Sequence, residues 1–432
     1  MALFSDRTLV MGTENAFKIG PHIARVEASG LPVVRLNLGE PDFTPPDWVL
    51  DEVVFQIRSG NTKYCDPQGL LSLREAIAAQ VAATRGIETS PEQVCVFPGG
   101  KPSIAFSQQL YCNPGDEVIY PSPGFPIYES MVAYLGAVPV PLHLDESNGF
   151  TVTPDQIDAL ITEKTKLIIL NFPSNPTGGV ATRPQLEAIA KVILEKCGPD
   201  VRVYSDEIYE NIVFDGQEHF SIASVPGMAE RTIISSGMSK SFAWTGGRVG
   251  YAVMPTAEEA DVFKNMNINY FSCIPPYNQE GAREALENPK SKPWMAEMAK
   301  TFQERRDVIV EKLNAIDGIT CRKPGGAFYL FPNITGACER LGAMKAFEKL
   351  PADRKENTTP ATLFQMFALY RHHVAVMDRR SFGAIGSEKM HFLRLSIAAD
   401  LPTLEEGVRR IAAAADDREG FADFIAAGEN LF

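Results

Sequence analysis

From about residue 70 to 255, short runs of β-branched and apolar residues alternate with longer stretches of helical periodicity. The runs fall at Val94–Phe97, Glu117–Tyr120, Lys166–Leu170, Val201–Ser205, Arg231–Ser235 and Gly250–Met254. Helices are predicted at Ser72–Thr84, Ser103–Tyr111, Pro154–Thr162 and Arg183–Lys196. Continuous apolar runs, as opposed to strictly alternating ones, mark strands covered on both faces, so the pattern predicts α/β units around a mainly parallel central sheet. Ligands of such sheets gather at the carboxyl ends of the strands. The polar residues that follow each run are therefore the first candidates for chemistry.

Past residue 290 the pattern changes. A long helix is predicted around Pro293–Ile316, then strands near Ala327–Phe331, His373–Met377 and His391–Ser396, then a helix from Thr403, which together predict a smaller α+β unit. The polar, irregular stretch Thr335–Thr362 reads as a surface insertion with some helix. A chain of 432 residues is long enough for two units. The expected division is an N-terminal arm and part of the small domain over 1–50, a large domain over 51–290, and a C-terminal small domain over 291–432.

Composition narrows the classes. Apolar residues at 45% and charged residues at 22% suit a folded globular chain. A formal charge of −13, from 41 Lys+Arg against 54 Asp+Glu, argues against a broad surface for nucleic acid or anionic lipid and leaves room only for a local basic pocket. The first residues carry charges and lack an apolar core followed by a cleavage site, so no secretory signal is expected, and no run reaches the ~18 apolar residues of a membrane span. Seven dispersed cysteines, without a C-x-x-C pair or a Cys/His cluster at zinc spacing, are expected to be reduced thiols in a cytoplasmic protein that binds no metal.

Several strand ends carry candidate chemistry. In Ile233–Tyr251 a lysine, Lys240, follows small and hydroxyl residues and precedes Arg248 by eight positions; a lysine desolvated beside other cations becomes a usable nucleophile, although a solvated surface lysine is the plain alternative. Asp206 ends a buried-looking run with Tyr209 three residues on, and either caps a helix or pairs with a cationic ring nitrogen. Asn175 sits in an Asn-Pro turn after another run, where it could be a plain turn residue or a donor to a ring oxygen. Gly99 and Gly100 precede Lys101 and Pro102 at a predicted helix start, and the free N–H groups of Gly100 and Lys101 would form an anion site. Phe125 lies among prolines that stiffen its loop, so its ring either packs in the core or stacks on a flat ligand. Arg394, inside the apolar run Phe392–Ile397, needs an acidic partner, from the protein or from a substrate carboxylate.

Taken in order, Gly39-Glu-Pro-Asp-Phe, Tyr64 with Gly69, Gly100, Phe125, Asn175-Pro-Thr-Gly, Asp206 with Tyr209, Ser239-Lys240 with Arg248, and Arg394-Leu-Ser resemble the class I/II aminotransferases of fold type I, enzymes that use pyridoxal 5′-phosphate (PLP). The resemblance spans roughly residues 30 to 410. It implies that Lys240 holds the cofactor as a Schiff base and later shuttles a proton between the substrate α-carbon and the cofactor's C4′. Asp206 would pair with the pyridinium, Asn175 and Tyr209 would bond the ring hydroxyl, and Phe125 would stack on the ring. Gly100, Lys101, Ser239 and Arg248 would hold the phosphate, and Arg394, with Asn175 and the backbone of Gly39, the substrate α-carboxylate. Tyr64 would reach the phosphate of a partner subunit, which implies a homodimer. The implied reaction is ping-pong transfer of an amino group between an L-amino acid and a 2-oxo acid.

Lys101 stands where aspartate-using relatives carry a lysine that reaches the distal carboxylate, which points to aspartate or glutamate, whereas the arm Thr13–Lys18 lacks the hydroxyl pattern of that subgroup. Positions 377–383, MDRRSFG, depart from the family's Pro-Gly pattern; Arg379 and Arg380 are expected to be solvated, with contact to an acidic substrate side chain as the alternative. A PLP-dependent carbon–sulfur β-lyase or another fold type I enzyme would share the same cradle. A ligand-sensing module fused to a DNA-binding domain is disfavoured, because only some forty residues precede Gly39.

Overall fold

The sheet at the centre is assembled from strands that bury both faces. A computed structural model of the chain describes residues 3–12 and 14–428, so Thr13 lies outside the described residues. Seven strands form one sheet: β1 Val94–Phe97, β2 Glu117–Ser122, β3 Val138–His143, β4 Thr165–Asn171, β5 Arg202–Asp206, β6 Thr232–Gly237 and β7 Gly250–Val253. Their spatial order is β1-β7-β6-β5-β4-β2-β3, and all pairs are parallel except those of β7 with β1 and β6. Along β4, Leu167 and Ile169 pack into one core cluster while Ile168 and Leu170 pack into the cluster on the opposite face. This is the two-residue alternation of a strand covered on both sides.

Helices cover those faces. Arg183–Lys196 buries Leu186, Ile189, Ala190 and Ile193, an i, i+3, i+4, i+7 stripe, and starts with a capping box between Thr182 and Gln185. Each buried Leu or Ile contributes roughly 1.5–3 kcal/mol of apolar transfer. Six of the strands coincide with the apolar runs. The seventh, β3, does not announce itself because Pro139 and Pro141 interrupt it. Its edge position explains the tolerance, since only one side of an edge strand needs N–H donors.

The parallel registers set the functional edge. Asn171 of β4 pairs with Asp206 of β5, and Asp206 pairs with Ser235 of β6, so three polar side chains stand in a row at the carboxyl ends.

The C-terminal part is built on the helix Ser291–Asn314, the helices Pro360–His372 and Leu401–Asp416, and a three-stranded antiparallel sheet of Met377–Asp378, Leu393–Ser396 and Tyr329–Leu330. The short strand Val34–Arg35 pairs in parallel with Val374–Ala375 and so ties the chain's beginning to this part. The segment 335–362 is more than a surface insertion. It contains the helices Thr335–Leu341, Ala343–Glu348 and Ala352–Lys355, and Ala337, Cys338, Leu341 and Ala343 are buried in the core. Its polar residues hide that spacing in the sequence. Among the described residues no helix is long and apolar enough to cross a membrane.

Candidate active site

One cavity of about 430 Å³ opens at the carboxyl ends of β4, β5 and β6. Of the residues singled out from the sequence, Gly39, Gly100, Lys101, Phe125, Asn175 and Asp206 line it. So do Tyr209, Ser239, Lys240, Arg248 and Arg394. Tyr64 does not; its residue is 88% exposed on the outer surface.

Asp206 closes the floor. Its carboxylate accepts from the Tyr128 hydroxyl at 2.7 Å and from the backbone N–H of Ile208 at 3.3 Å. Burial pushes its pKa up to about 6, and the Tyr128 hydrogen bond opposes that rise. The Asn171 amide donates to the Asp206 carbonyl at 3.0 Å, and the Asn171 side-chain oxygen accepts from the Asn175 N–H at 2.9 Å, so one side chain braces both the strand end and the Asn-Pro turn.

Lys240 lies in the four-residue helical turn Met238–Ser241 that follows β6. Its ammonium donates to the Gly39 carbonyl at 2.6 Å. Burial pulls its pKa down to about 8, with Glu40 opposing and Arg394 reinforcing the fall. Gly39 cannot carry a side chain here: a Cβ would fall 2.0 Å from the Tyr329 hydroxyl.

Arg394 is buried, with its guanidinium 4.6 Å from the ring centre of Tyr329 and 4.7 Å from that of Phe382. It donates to the Asn175 side-chain oxygen at 3.2 Å and to the Asn37 carbonyl, while its Nε finds no acceptor among the described residues. Among the described residues it pairs with no carboxylate, and burial holds its pKa below the usual arginine value. A desolvated cation facing a cavity without an anionic partner is a receptor for an anion.

Elsewhere on the wall, Gly100 precedes the helix Lys101–Tyr111, and Gly100, Lys101 and Ile104 line the cavity, so the start of this helix, with its unpaired first-turn N–H groups, lies at the cavity. Arg248 lies across this turn, donating to the carbonyls of Thr245 at 2.8 Å and Pro98 at 3.1 Å. A Cβ on Gly99, whose φ is 85°, would fall 2.0 Å from Arg248 Nη2, so the glycine is needed both for its left-handed backbone and for the passage of the guanidinium. Phe125 stands over the cavity with its ring centre 5.9 Å from that of Tyr128.

These groups fit PLP. An aldehyde requires an amine, a cationic ring nitrogen a carboxylate, and a phosphate a helix N-terminus with a counter-charge; Lys240, Asp206 and the Gly100–Arg248 wall supply one of each around a single cavity. The sequence reading missed Tyr128, Asn171 and Tyr329. Tyr128 and Tyr329 stand in apolar surroundings that read as core aromatics, and Tyr329 bonds the Tyr209 hydroxyl at 2.8 Å, so that hydroxyl is already shared within the protein.

Arg379 and Arg380 do not line the cavity. Arg379 is fully buried, not solvated: it donates to the Gly383 carbonyl at 2.7 Å and the Ser122 hydroxyl at 3.0 Å, and burial pulls its pKa down to about 10. Arg380 donates to the Glu356 carbonyl.

Residues 32–411 match the family model for aminotransferase class I and II. A probable aspartate/prephenate aminotransferase of Aquifex aeolicus is 35% identical over 393 residues, covering 91% of this chain and 93% of the relative. An aspartate aminotransferase of Bacillus subtilis is 37% identical over 390 residues, 89% of this chain and 92% of its own. The crystal structure of an aspartate aminotransferase from Rhizobium meliloti superposes with a TM-score of 0.86 at 34% identity, over 96% of this chain and 99% of the other. The family match over residues 32–411 and relatives above 30% identity along most of the chain carry the same conclusion as the cavity: the chain belongs to the class I and II aminotransferases, enzymes of fold type I that depend on PLP.

Proposed function

We propose that this aminotransferase takes its amino group from a dicarboxylic L-amino acid, aspartate or glutamate, and passes it to a 2-oxo acid in a ping-pong reaction. The observation that carries the reading is the buried guanidinium of Arg394, without a carboxylate partner among the described residues, in one cavity with the Lys240 amine and Lys101. The relatives' names, aspartate and aspartate/prephenate aminotransferases, support the dicarboxylic choice.

When bound, the cofactor supplies an electron sink and a carrier for the amine. Arg394 would bind the α-carboxylate of the amino acid, held by its hydrogen bond to Asn175 and by its contacts with the rings of Tyr329 and Phe382. Lys240 would hold the cofactor covalently, and its Nζ would take the α-proton from the bound amino acid; burial, which pulls its pKa down to about 8, favours the neutral amine that a base must be. Asp206 would keep a proton on the ring nitrogen, since a cation beside it favours its ionised form. Asn175 and Tyr209 would bond the ring oxygen and Phe125 would lie against the ring. Gly100, Lys101, Ser239 and Arg248 would hold the phosphate by backbone N–H groups, a hydroxyl and a guanidinium.

The working unit is inferred to be a homodimer, with Tyr64 reaching the partner's phosphate. Support comes from the exposure of Tyr64 and of the apolar side chains Phe55, Ile57, Tyr270 and Phe271. Residues 51–290 are inferred to form the cofactor-binding domain, and 1–50 with 291–432 the second unit, consistent with the pairing of Val34–Arg35 to Val374–Ala375. Seven cysteines that form no disulfide suit a cytoplasmic location.

The test is to mix the holoenzyme with a panel of amino acids and record which ones discharge the cofactor's visible band and release a 2-oxo acid. Aspartate and glutamate should react fastest. A panel in which no amino acid perturbs the band, or in which cystathionine releases pyruvate without an acceptor while aspartate is inert, refutes the reading.

A further inference from the structure

Once the roles above are assigned, three charged side chains of the cavity wall remain: Lys101, Glu14 and Glu40. Glu40 is engaged by the Thr245 hydroxyl. The Lys101 ammonium is engaged by the Glu14 carboxylate, and it lies 5.5 Å from the ring centre of Phe17 and 5.9 Å from that of Phe125. The Glu14 side chain is 15% exposed and that of Lys101 48%, so the pair sits where the cavity meets solvent.

Glu14 reaches this place because the chain just after it is anchored. It precedes the short helix Asn15–Lys18; Asn15 donates to the Ser381 hydroxyl at 3.1 Å, and Ile19 is buried against Ile23, Leu369 and Met377. The carboxylate is thus delivered to Lys101 by a tethered segment, at a locally high effective concentration. It is also the same chemical group that ends the side chain of aspartate and glutamate.

We infer that Glu14 is a specificity-determining residue, a tethered carboxylate that holds Lys101 and that the distal carboxylate of a dicarboxylic substrate must displace. The inference rests on the dicarboxylic reading in one respect, that Lys101 is the cation such a substrate seeks. A monocarboxylic amino acid has no group to exchange at Lys101 and is untouched by this competition. A dicarboxylic one meets both an occupied cation and the repulsion of a second carboxylate. The net negative field of Glu14 also reaches Lys240 and Arg394, where it favours their charged forms. Because Lys101 is half exposed, the exchange is damped by solvent, and its size is moderate.

The experiment measures binding of succinate and of butyrate, a four-carbon dicarboxylate and its monocarboxylate counterpart, to the holoenzyme by titration calorimetry, in the wild type, Glu14→Gln, Lys101→Met and the double variant. Glu14→Gln is expected to raise the succinate-to-butyrate affinity ratio about tenfold, or ~1.4 kcal/mol, and to raise it by a clearly different factor when Lys101 is already methionine, because only the repulsion then remains to be removed. If Lys101→Met lowers the ratio but Glu14→Gln leaves it unchanged or lowers it, the inference is overturned while the dicarboxylic reading stands. If Lys101→Met leaves the ratio unchanged, both are overturned.

Discussion

The Tyr128 hydroxyl offers a single-atom test of how Asp206 is kept ionised. Tyr128→Phe keeps the ring, which is fully buried against Phe125, and removes only the donor 2.7 Å from the Asp206 carboxylate. What remains is the Ile208 N–H at 3.3 Å, a longer and weaker contact. A hydrogen bond to a buried charge is worth about 1.5–3 kcal/mol, so its loss shifts the proton equilibrium of Asp206 toward the neutral acid by a factor of about ten to a hundred. Burial already holds the pKa up at about 6, and the substitution pushes it further in the same direction. A carboxyl with a raised pKa is ionised only above that pKa, so activity is lost at low pH and regained as pH rises. The assay is the pH dependence of the first half-reaction with L-aspartate: the acid limb of Tyr128→Phe should lie at higher pH than that of the wild type, and the two rates should converge at alkaline pH. Asp206→Asn should instead be slow at every pH. A uniform loss in Tyr128→Phe, with the acid limb unmoved, would show that Tyr128 acts through packing and would refute the electrostatic account.

Three further outcomes follow from the same geometry. Lys240→Ala should abolish discharge of the cofactor band by aspartate, and near-wild-type turnover in that variant would remove the lysine from the reaction. Gly99→Ala puts a Cβ 2.0 Å from Arg248 Nη2 and strains a φ of 85°; cofactor affinity should fall at least about tenfold (~1.4 kcal/mol) in fluorescence titration while circular dichroism stays native. Arg85 bridges Glu207 at 2.8 Å and Glu210 in the core, with 2% of its side chain exposed, so Arg85→Met should lower stability by about 3–5 kcal/mol in denaturant unfolding. Burial alone would raise the Glu207 pKa, but Arg85 and His219 outweigh it and hold the carboxyl well below its usual range. Wild-type stability from this group is therefore present above the unfolded carboxyl pKa and lost as pH falls below it, and an acid-unfolding midpoint that ignores Arg85→Met would contradict the network's role.

Particular residues show how far local pattern reaches. Asp206 and Arg394 were legible because one ends and the other interrupts a buried apolar run, and Asn175 and Lys240 because each lies in the loop just past such a run, in a motif whose order along the chain matches the family. The edge strand Val138–His143 was not, since its prolines erase the local signal that its neighbour in the sheet overrides. Arg379 was misjudged because nothing near it in sequence reveals that Ser122, 257 positions away, and the Gly383 carbonyl close it off from solvent. Tyr128 and Tyr329 looked like ordinary core aromatics, since their hydroxyl partners stand 78 and 120 positions away.

By itself, then, the order of residues determined six of the seven central strands and helices between them, that the sheet is covered on both sides, and which polar groups stand at or just past strand ends. Those are consequences of periodicity within a few residues, where backbone geometry dictates side-chain direction. Only the tertiary structure decided that Asn171, Asp206 and Ser235 share one row, that Tyr128 donates to Asp206, and that Glu14 meets Lys101. Those contacts depend on strand register and on packing between segments far apart in the chain, and neither is encoded in any single stretch of it.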